Sequence, residues 1–392
     1  MKILFVTYKS LGHGGAEVST LNLAKELRLK GNEVIFAAAE NYDGFKTFIF
    51  KEFKFPIFQI YNNYLKRFIV DIIKKENIDL IHVHHRMSTI AAIKAASKMK
   101  IPIVAHFRDY WFCCPRSSCL TPNYKRYDVC SYGIIFRYYP KKRLIWDLYK
   151  WFTIKQGWRT LNKADAKIAV SNVVKEKLKY CGINNNIYIV HNSRDLGEFL
   201  KVDKGDFKKN YNLKKIVVAF VGSFSYTKGA MNLLKISKKV LDKHKDVSFI
   251  FVGDGPLMNL MLDFKNLNKL DDVVFTGRLN NEKIPEVYAN SDIVVFPNVW
   301  EEPFSGAIVE AMAAGKPIIA SRLGGNKEII VEGENGFLID SGNLNEIESK
   351  LDMLINSETL RNKLGRFSKE HSKNFSNQVI AEKINKIYSA LR

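Results

Sequence analysis

Short apolar runs alternate with longer amphipathic ones along nearly the whole chain. In the first half the runs are KILFVT, NEVIFAAA, IDLIHVH, IPIVAHF, AKIAVS and IYIVH; in the second they are KIVVAFVG, VSFIFVG, DVVFTG, DIVVFP and KPIIAS. A strand that is apolar without alternation is covered on both faces, and the helical patterns between the runs supply the cover, so each series predicts a parallel sheet between helix layers. Each series opens with strand, glycine-containing turn and helix, which predicts an α/β chain of two doubly wound Rossmann-like domains facing an interdomain cleft. The stretch VHNSRDLGEFLKVDKGD is polar and lacks periodic apolar positions, placing a linker around residues 192–212. The expected division is 1–192 and 193–374, followed by an amphipathic segment, 375–392, that is a candidate to pack back on the first domain.

At 392 residues with 46% apolar content, the chain is long enough for two cores of ordinary size. No window approaches the roughly 20 continuous apolar residues of a membrane span, and the apolar run before Gly12 is short for a signal peptide, so a cytoplasmic protein is expected. Charge changes the picture more. The formal net is +21, and residues 1–192 hold 32 Lys and Arg against 14 Asp and Glu, whereas 193–392 hold 29 against 26. The basic half attracts polyanions, which makes nucleic acid, an anionic bilayer and a phosphorylated substrate the candidates. No nucleic-acid module is recognisable, and nucleic acid ranks last. Residues 132–159 mix seven Lys and Arg with one acid and many aromatics, a composition suited to a membrane interface with a lipid-linked phosphate acceptor. FKTFIFKEFKFPIF has a similar character. A peripheral position on the inner face of the cell membrane is the option these segments open; solvated lysines around core aromatics are the other.

Open parallel sheets bind ligands beyond the carboxyl ends of their strands, so the residues just after each run matter most. VGSFSYTKGAMNLL turns from strand to helix around Ser223 to Lys228. A cation just before a helix opposes its dipole unless an anion is near, which marks Lys228 as a phosphate ligand. Gly253, in FVGDGPL, and Gly277, in FTGRL, permit close approach of backbone to a ligand. Gly14 and Gly15 stand at an expected helix start, an anion-friendly corner whose spacing does not match a dinucleotide fingerprint. VWEEPFSGAIVEAMAAGKP sets Glu302 before a buried helix and Glu310 within it. Glu310 in apolar surroundings requires hydrogen-bond donors, which the vicinal hydroxyls of a ribose would supply; a nearby lysine is the alternative. Cys113, Cys114, Cys119 and Cys130 share one loop, but without paired C-x-x-C spacing they read as buried free thiols rather than zinc ligands.

Glu302 and Glu310, with Pro-Phe after the first and AMAAGKPIIAS after the second, resemble the signature of the retaining glycosyltransferases of family 4, which have the GT-B fold. GGAEVSTLNLAKEL, IDLIHVHHR, RDYWFCCPR, VGSFSYTKG, FVGDGPL, FTGRL and GGNKEIIVEGENGFLI extend the resemblance along most of the chain. It implies a nucleotide-diphosphate sugar, UDP- or GDP-linked, as donor and a glycan or lipid-linked acceptor on the basic domain, as in cell-surface polysaccharide or glycolipid synthesis. It implies that Glu310 binds the donor ribose, that Glu302 touches the transferred sugar, that Lys228 and the amides of Phe304, Ser305 and Gly306 hold the diphosphate, and that Gly277, Arg278 and Leu279 line the base. Front-face displacement, with the leaving phosphate taking the acceptor proton, then needs no protein nucleophile. No Asp-x-Asp occurs, so neither a cofactor nor an obligatory divalent ion is expected.

Three departures from the family pattern stand out. Ser223 replaces the usual Arg, making Arg278 the candidate for the missing phosphate contact. Ser305 stands where many members have Gly. Arg108 precedes Asp109 where His-Asp is common, with His106 two residues earlier, so either His106 or Arg108 meets the donor. A catalytically degenerate sugar-nucleotide binder and a nucleotide-sugar epimerase of the same fold are the rival readings.

Overall fold

Val, Ile and Phe crowd the apolar runs, and these side chains fit a pleated surface that is covered on both sides. In the computed structural model the runs are strands, and residues 1–8, 15–52, 58–200, 202 and 204–391 are described. One unit comprises Met1–Ser193 together with Asn377–Arg392, and the other comprises Arg194–Ser376.

The first unit holds β1 (Lys2–Val6), β2 (Glu33–Ala38), β3 (Thr47–Ile49), β4 (Leu80–Val83), β5 (Ile103–Phe107), β6 (Ala166–Ala169) and β7 (Ile187–Ile189). They form one parallel sheet in the order β3-β2-β1-β4-β5-β6-β7. The second unit holds β8 (Ile216–Val221), β9 (Val247–Val252), β10 (Val273–Gly277), β11 (Ile293–Phe296), β12 (Ile318–Ser321) and β13 (Gly336–Ile339). Its parallel order is β10-β9-β8-β11-β12-β13. The order reverses between β1 and β4 and again between β8 and β11. Connections leave these strand pairs toward opposite sides, opening a crevice at their carboxyl ends.

The terminal helix Asn377–Ser389 belongs to the first unit because of its apolar stripe. Ile380, Ala381, Ile384, Ile387 and Tyr388 join Ile3, Phe5, Val34 and Phe36 in one buried cluster, and the helix packs on helix Gly15–Leu29.

The linker is shorter than its composition suggests. The second unit begins at Arg194, and Leu196 and Phe207 are buried within the stretch read as linker. Phe207 opens a short helix, Phe207–Asn210, and packs with Val217, Ile250 and Val287. Two apolar residues eleven positions apart make no period, so the tether to the core left no pattern. Edge strands β3 and β13 were likewise unread.

Ile384 is fully buried, so Ile384→Ala should cost about 2–5 kcal/mol of stability. Trp111, Trp146, Trp151 and Trp158 lie in the first unit and Trp300 in the second. A urea titration followed by tryptophan emission should therefore show a lowered midpoint, and an unchanged one would mean that the helix is not part of this core.

Candidate functional site

In the second unit, β8 ends at Val221 and the chain turns through Tyr226–Lys228 into helix Ala230–Lys243. Gly229 has φ 71°, and a Cβ there would lie 1.9 Å from the carbonyl oxygen of Pro297, in the loop after β11. The two loops are thus in backbone contact, and Val299 N donates to Thr227 O at 2.9 Å. This contact brings Lys228 to Glu302: its Nζ donates to Oε1 at 2.7 Å, and Asn298 Nδ2 donates to Oε2. Lys228 also lies 6.0 Å from the centre of the Trp300 ring. Glu302 is pinned through its backbone, since its carbonyl accepts from Gly325 N at 2.8 Å.

Helix Gly306–Ala313 begins at Ser305, whose side chain makes no capping bond. The amides of its first turn have no acceptor within the helix, and their dipoles favour an anion. Glu310 follows one turn later. Its Oε1 lies 3.2 Å from Arg194 Nε, and the carboxylate retains 23% of its exposure. Burial pushes its pKa up and Arg194 pulls it back. Arg194 rests on Gly306, where a Cβ would fall 1.8 Å from Nη2. The cation beside Glu310 is therefore an arginine, not the lysine named as an alternative.

The glycines align along the same strand ends. Gly222 N donates to Val252 O at 2.9 Å and Gly253 N to Gly277 O at 3.0 Å. Ser223 and Arg278 are exposed at the ends of β8 and β10, with Arg278 on the sheet's edge strand. Leu279 packs inward with the Val217 and Ile250 cluster. The Phe304 ring is buried and lies 5.7 Å from that of Phe375. Arg194 and Asn298 are additions to the residues read from sequence. Asn298 directly follows the β11 run, a position that could have marked it; Arg194 sat in the supposed linker and carried no signal.

In the first unit Gly15 opens helix Gly15–Leu29, and Gly14 lies outside the described residues. His106 is on β5, an interior strand, beside His82 and His84. His82 Nδ1 meets Tyr388 Oη at 2.5 Å, and Arg108 Nη2 lies 3.5 Å from His84 Nδ1. Both His106 nitrogens and Nε2 of His82 and His84 lack hydrogen-bond partners. His106 is therefore an interior-strand histidine whose ring makes no hydrogen bond. Burial pushes all three imidazoles well below their usual pKa, and Arg108 pushes the same way. One nitrogen from each ring lies within 4.8 Å of the other two, close enough to share a metal ion, but the guanidinium works against a cation there. Of the pair left open by sequence, Arg108 is the charged one.

Asp109, pushed up to about 6 chiefly by burial, accepts from Trp111 N at 2.7 Å. Cys113, Cys114, Cys119, Cys130 and Cys181 are buried free thiols. Cys113 and Cys119 sulfurs are 3.5 Å apart. The basic aromatic segment forms helices Tyr132–Tyr138 and Leu144–Leu161, with Tyr132, Phe136, Ile145, Trp146 and Phe152 exposed. Of the similar stretch FKTFIFKEFKFPIF, residues 53–57 lie outside the described residues. No helix among the described residues is long and apolar enough to cross a membrane.

Two family models match: Glycosyltransferase Family 4 over residues 13–198 and Glycosyl transferases group 1 over residues 201–371. The chain is 36% identical over 187 residues to spore coat protein SA of Bacillus subtilis, aligning 45% of itself with 50% of that relative's length. It is 27% identical over 297 residues to the UDP-Gal:alpha-D-GlcNAc-diphosphoundecaprenol alpha-1,3-galactosyltransferase of Escherichia coli, covering 72% of this chain and 67% of that one. Anabaena HepE in complex with UDP superposes with TM-score 0.78 at 21% identity, covering all of both chains. Its complex with UDP-glucose gives 0.75 at 20% identity, again over all of both chains. At that identity the likeness establishes the fold, GT-B.

Two outcomes follow from the geometry. Gly306→Ala should destabilise the second unit by about 1–3 kcal/mol through overpacking against Arg194, and in an Arg194→Ala background the same change should be neutral or stabilising. A thermal-melt double-mutant cycle with no coupling would refute the close approach. The three histidines bind fewer protons folded than unfolded below their unfolded pKa. Stability of the first unit should therefore fall as pH drops below about 6.5, by up to about 1.4 kcal/mol per pH unit for each histidine. Asp109, with its raised pKa, contributes in the opposite sense. His106→Leu should flatten the acid dependence of the urea midpoint between pH 7.5 and 5.5; an unaltered slope would count against a neutral His106.

Proposed function

Given that the chain belongs to glycosyltransferase family 4, we propose that it transfers a sugar, with retention of anomeric configuration, from a UDP- or GDP-sugar to a lipid-linked or glycan acceptor in cell-surface polysaccharide or glycolipid synthesis. The observation that carries this reading is the pairing of two carboxylates with two cations at the strand ends of the second unit: Glu302 with Lys228 and Glu310 with Arg194.

Each carboxylate keeps acceptor capacity beyond its ion pair, because a carboxylate has about four lone-pair sites. Glu310 accepts the ribose hydroxyls through its remaining sites, and Arg194 favours its ionised form against the cost of burial. Glu302, held on one oxygen by Lys228 and on the other by Asn298, presents its free lone pairs to a sugar hydroxyl. The first-turn amides of helix Gly306–Ala313 hold the diphosphate, and Lys228 neutralises the charge that grows on it. The glycosidic C1–O bond to phosphate breaks with both electrons going to the phosphate oxygen. The acceptor hydroxyl forms its bond to C1 on the same face, and its proton passes to that oxygen. The balance is complete without a protein nucleophile or a divalent ion. Arg108 is the cation that the first unit offers to substrate. The HepE complexes with UDP and UDP-glucose support a uridine donor, and the diphosphoundecaprenol in the E. coli relative's name supports a lipid-linked acceptor. Exposed aromatics and lysines around residues 132–159 support peripheral contact with an anionic membrane.

Glu310→Gln should weaken UDP binding roughly 10- to 100-fold, the range for a hydrogen bond to a charged group. Lys228→Ala should lower sugar transfer or donor hydrolysis by roughly 100-fold or more. Titration calorimetry and a nucleotide-release assay on proteins with parental circular dichroism check both. Parental binding and turnover in the two variants would sink the assignment, and UDP binding without turnover in the parent would favour the degenerate binder.

A further inference from the structure

A cavity of ≈ 200 Å³ lies within the first unit, between helix Arg86–Met99, helix Leu144–Leu161 and the loop that follows β5. Its wall is largely apolar, with Ile90, Trp111, Trp146 and Ile154 prominent. Two cations interrupt that wall, Arg86 and Lys150. Arg86 is the first residue of its helix, where its charge opposes the helix dipole, and it is half-buried. Burial lowers the pKa of Lys150, with Arg86 as the next cause. Asp147, one turn earlier, is fully buried and pairs with Arg116 at 3.5 Å. Arg86 and Lys150 repel each other along this wall; Asp109 attracts the first and Asp147 the second, and a bound anion offsets the repulsion that remains.

The rest of the wall indicates what the anion is attached to. Free phosphate or a nucleotide needs no apolar wall, and a neutral lipid needs no cations. The cavity has both, and its volume accommodates roughly six or seven water-sized groups, enough for the first segment of a chain. The Leu144–Leu161 helix that forms one side also exposes Ile145 at 85%, Trp146 at 41% and Phe152 at 54%, and Lys141, Lys142 and Arg143 precede it. That surface has the composition of one that meets an anionic bilayer. The cavity is joined to the strand end at β5: Trp111 N bonds Asp109, and Asp109 attracts Arg86.

We propose that this cavity binds the lipid part of the acceptor, an isoprenoid or similar chain carrying a phosphorylated head, with Arg86 and Lys150 on the phosphate and Trp111, Trp146, Ile90 and Ile154 on the chain. This deepens the transfer reading and rests on it for the word acceptor. The head is drawn from membrane-borne lipid rather than from a soluble phosphate.

The test is titration of the full chain with farnesyl diphosphate, inorganic pyrophosphate and farnesol, followed by tryptophan emission, to which Trp111 and Trp146 in the cavity wall contribute. Farnesyl diphosphate should bind saturably and at least tenfold more tightly than either of the other two. Lys150→Glu should weaken it tenfold or more, Lys150→Arg should retain it, and Thr153→Trp, which narrows the cavity, should abolish it. Pyrophosphate binding as tightly as farnesyl diphosphate, or Lys150→Glu staying within twofold of parent, would overturn the proposal. UDP binding is measured on the same samples. If UDP binds normally while farnesyl diphosphate does not, the lipid site fails and the donor reading stands; if UDP also fails in the parent, the transfer reading falls with it. Where Lys150→Glu is not folded by circular dichroism, Lys150→Gln takes its place with the same criterion.

Discussion

A carboxylate inside an apolar helix is the constraint around which the strand ends of the second unit are arranged. Glu310 sits where burial disfavours its charge, and Arg194, 3.2 Å away, offsets part of that penalty. The guanidinium fits only because residue 306 has no Cβ. A glycine in the first turn of a helix weakens that helix, so the helix gives up some intrinsic stability to keep an ionised acceptor at this depth. Lys228 and Glu302 repeat the arrangement in the neighbouring loop. Gly229, Gly324 and Gly325 allow the backbones there to touch, since a Cβ at any of them would lie within 2.3 Å of a carbonyl oxygen. The site is thus built by close backbone contact first and by ion pairs second.

The first unit solves a different problem. Its interior holds three neutral imidazoles and a buried lysine, Lys167, whose ammonium donates to three carbonyl oxygens and whose pKa burial lowers to about 8. Its surface holds most of the excess positive charge of the chain. Charge on the outside and neutral bases on the inside fit a protein that attracts an anionic partner without placing that charge in its own core. Arg108 stands at the border of these regimes, 3.5 Å from the His84 imidazole.

Much of this was legible beforehand. Eleven of the strands were readable as apolar runs, because a strand covered on both faces cannot hide its composition. Lys228, Glu302 and Glu310 were readable because each violates a local preference: a cation at a helix start, and acids in or beside an apolar helix. His106 was ambiguous, because an imidazole on a strand looks the same whether it is charged, bonded or merely buried. Only its burial on an interior strand, beside Arg108 and His82, favoured the neutral form.

What the chain alone determined, then, was the alternation of elements and the chemical type of the groups at their ends, since both follow from local periodicity and from residues that cost energy unless something answers them. What only the tertiary structure decided was the partners. Arg194 reaches Glu310 across 116 residues of sequence and Lys228 reaches Glu302 across 74. The terminal helix joins a core whose other members begin at Ile3. Such pairings arise from parallel strands that bring distant loops to one edge, and no local pattern records which loops those are.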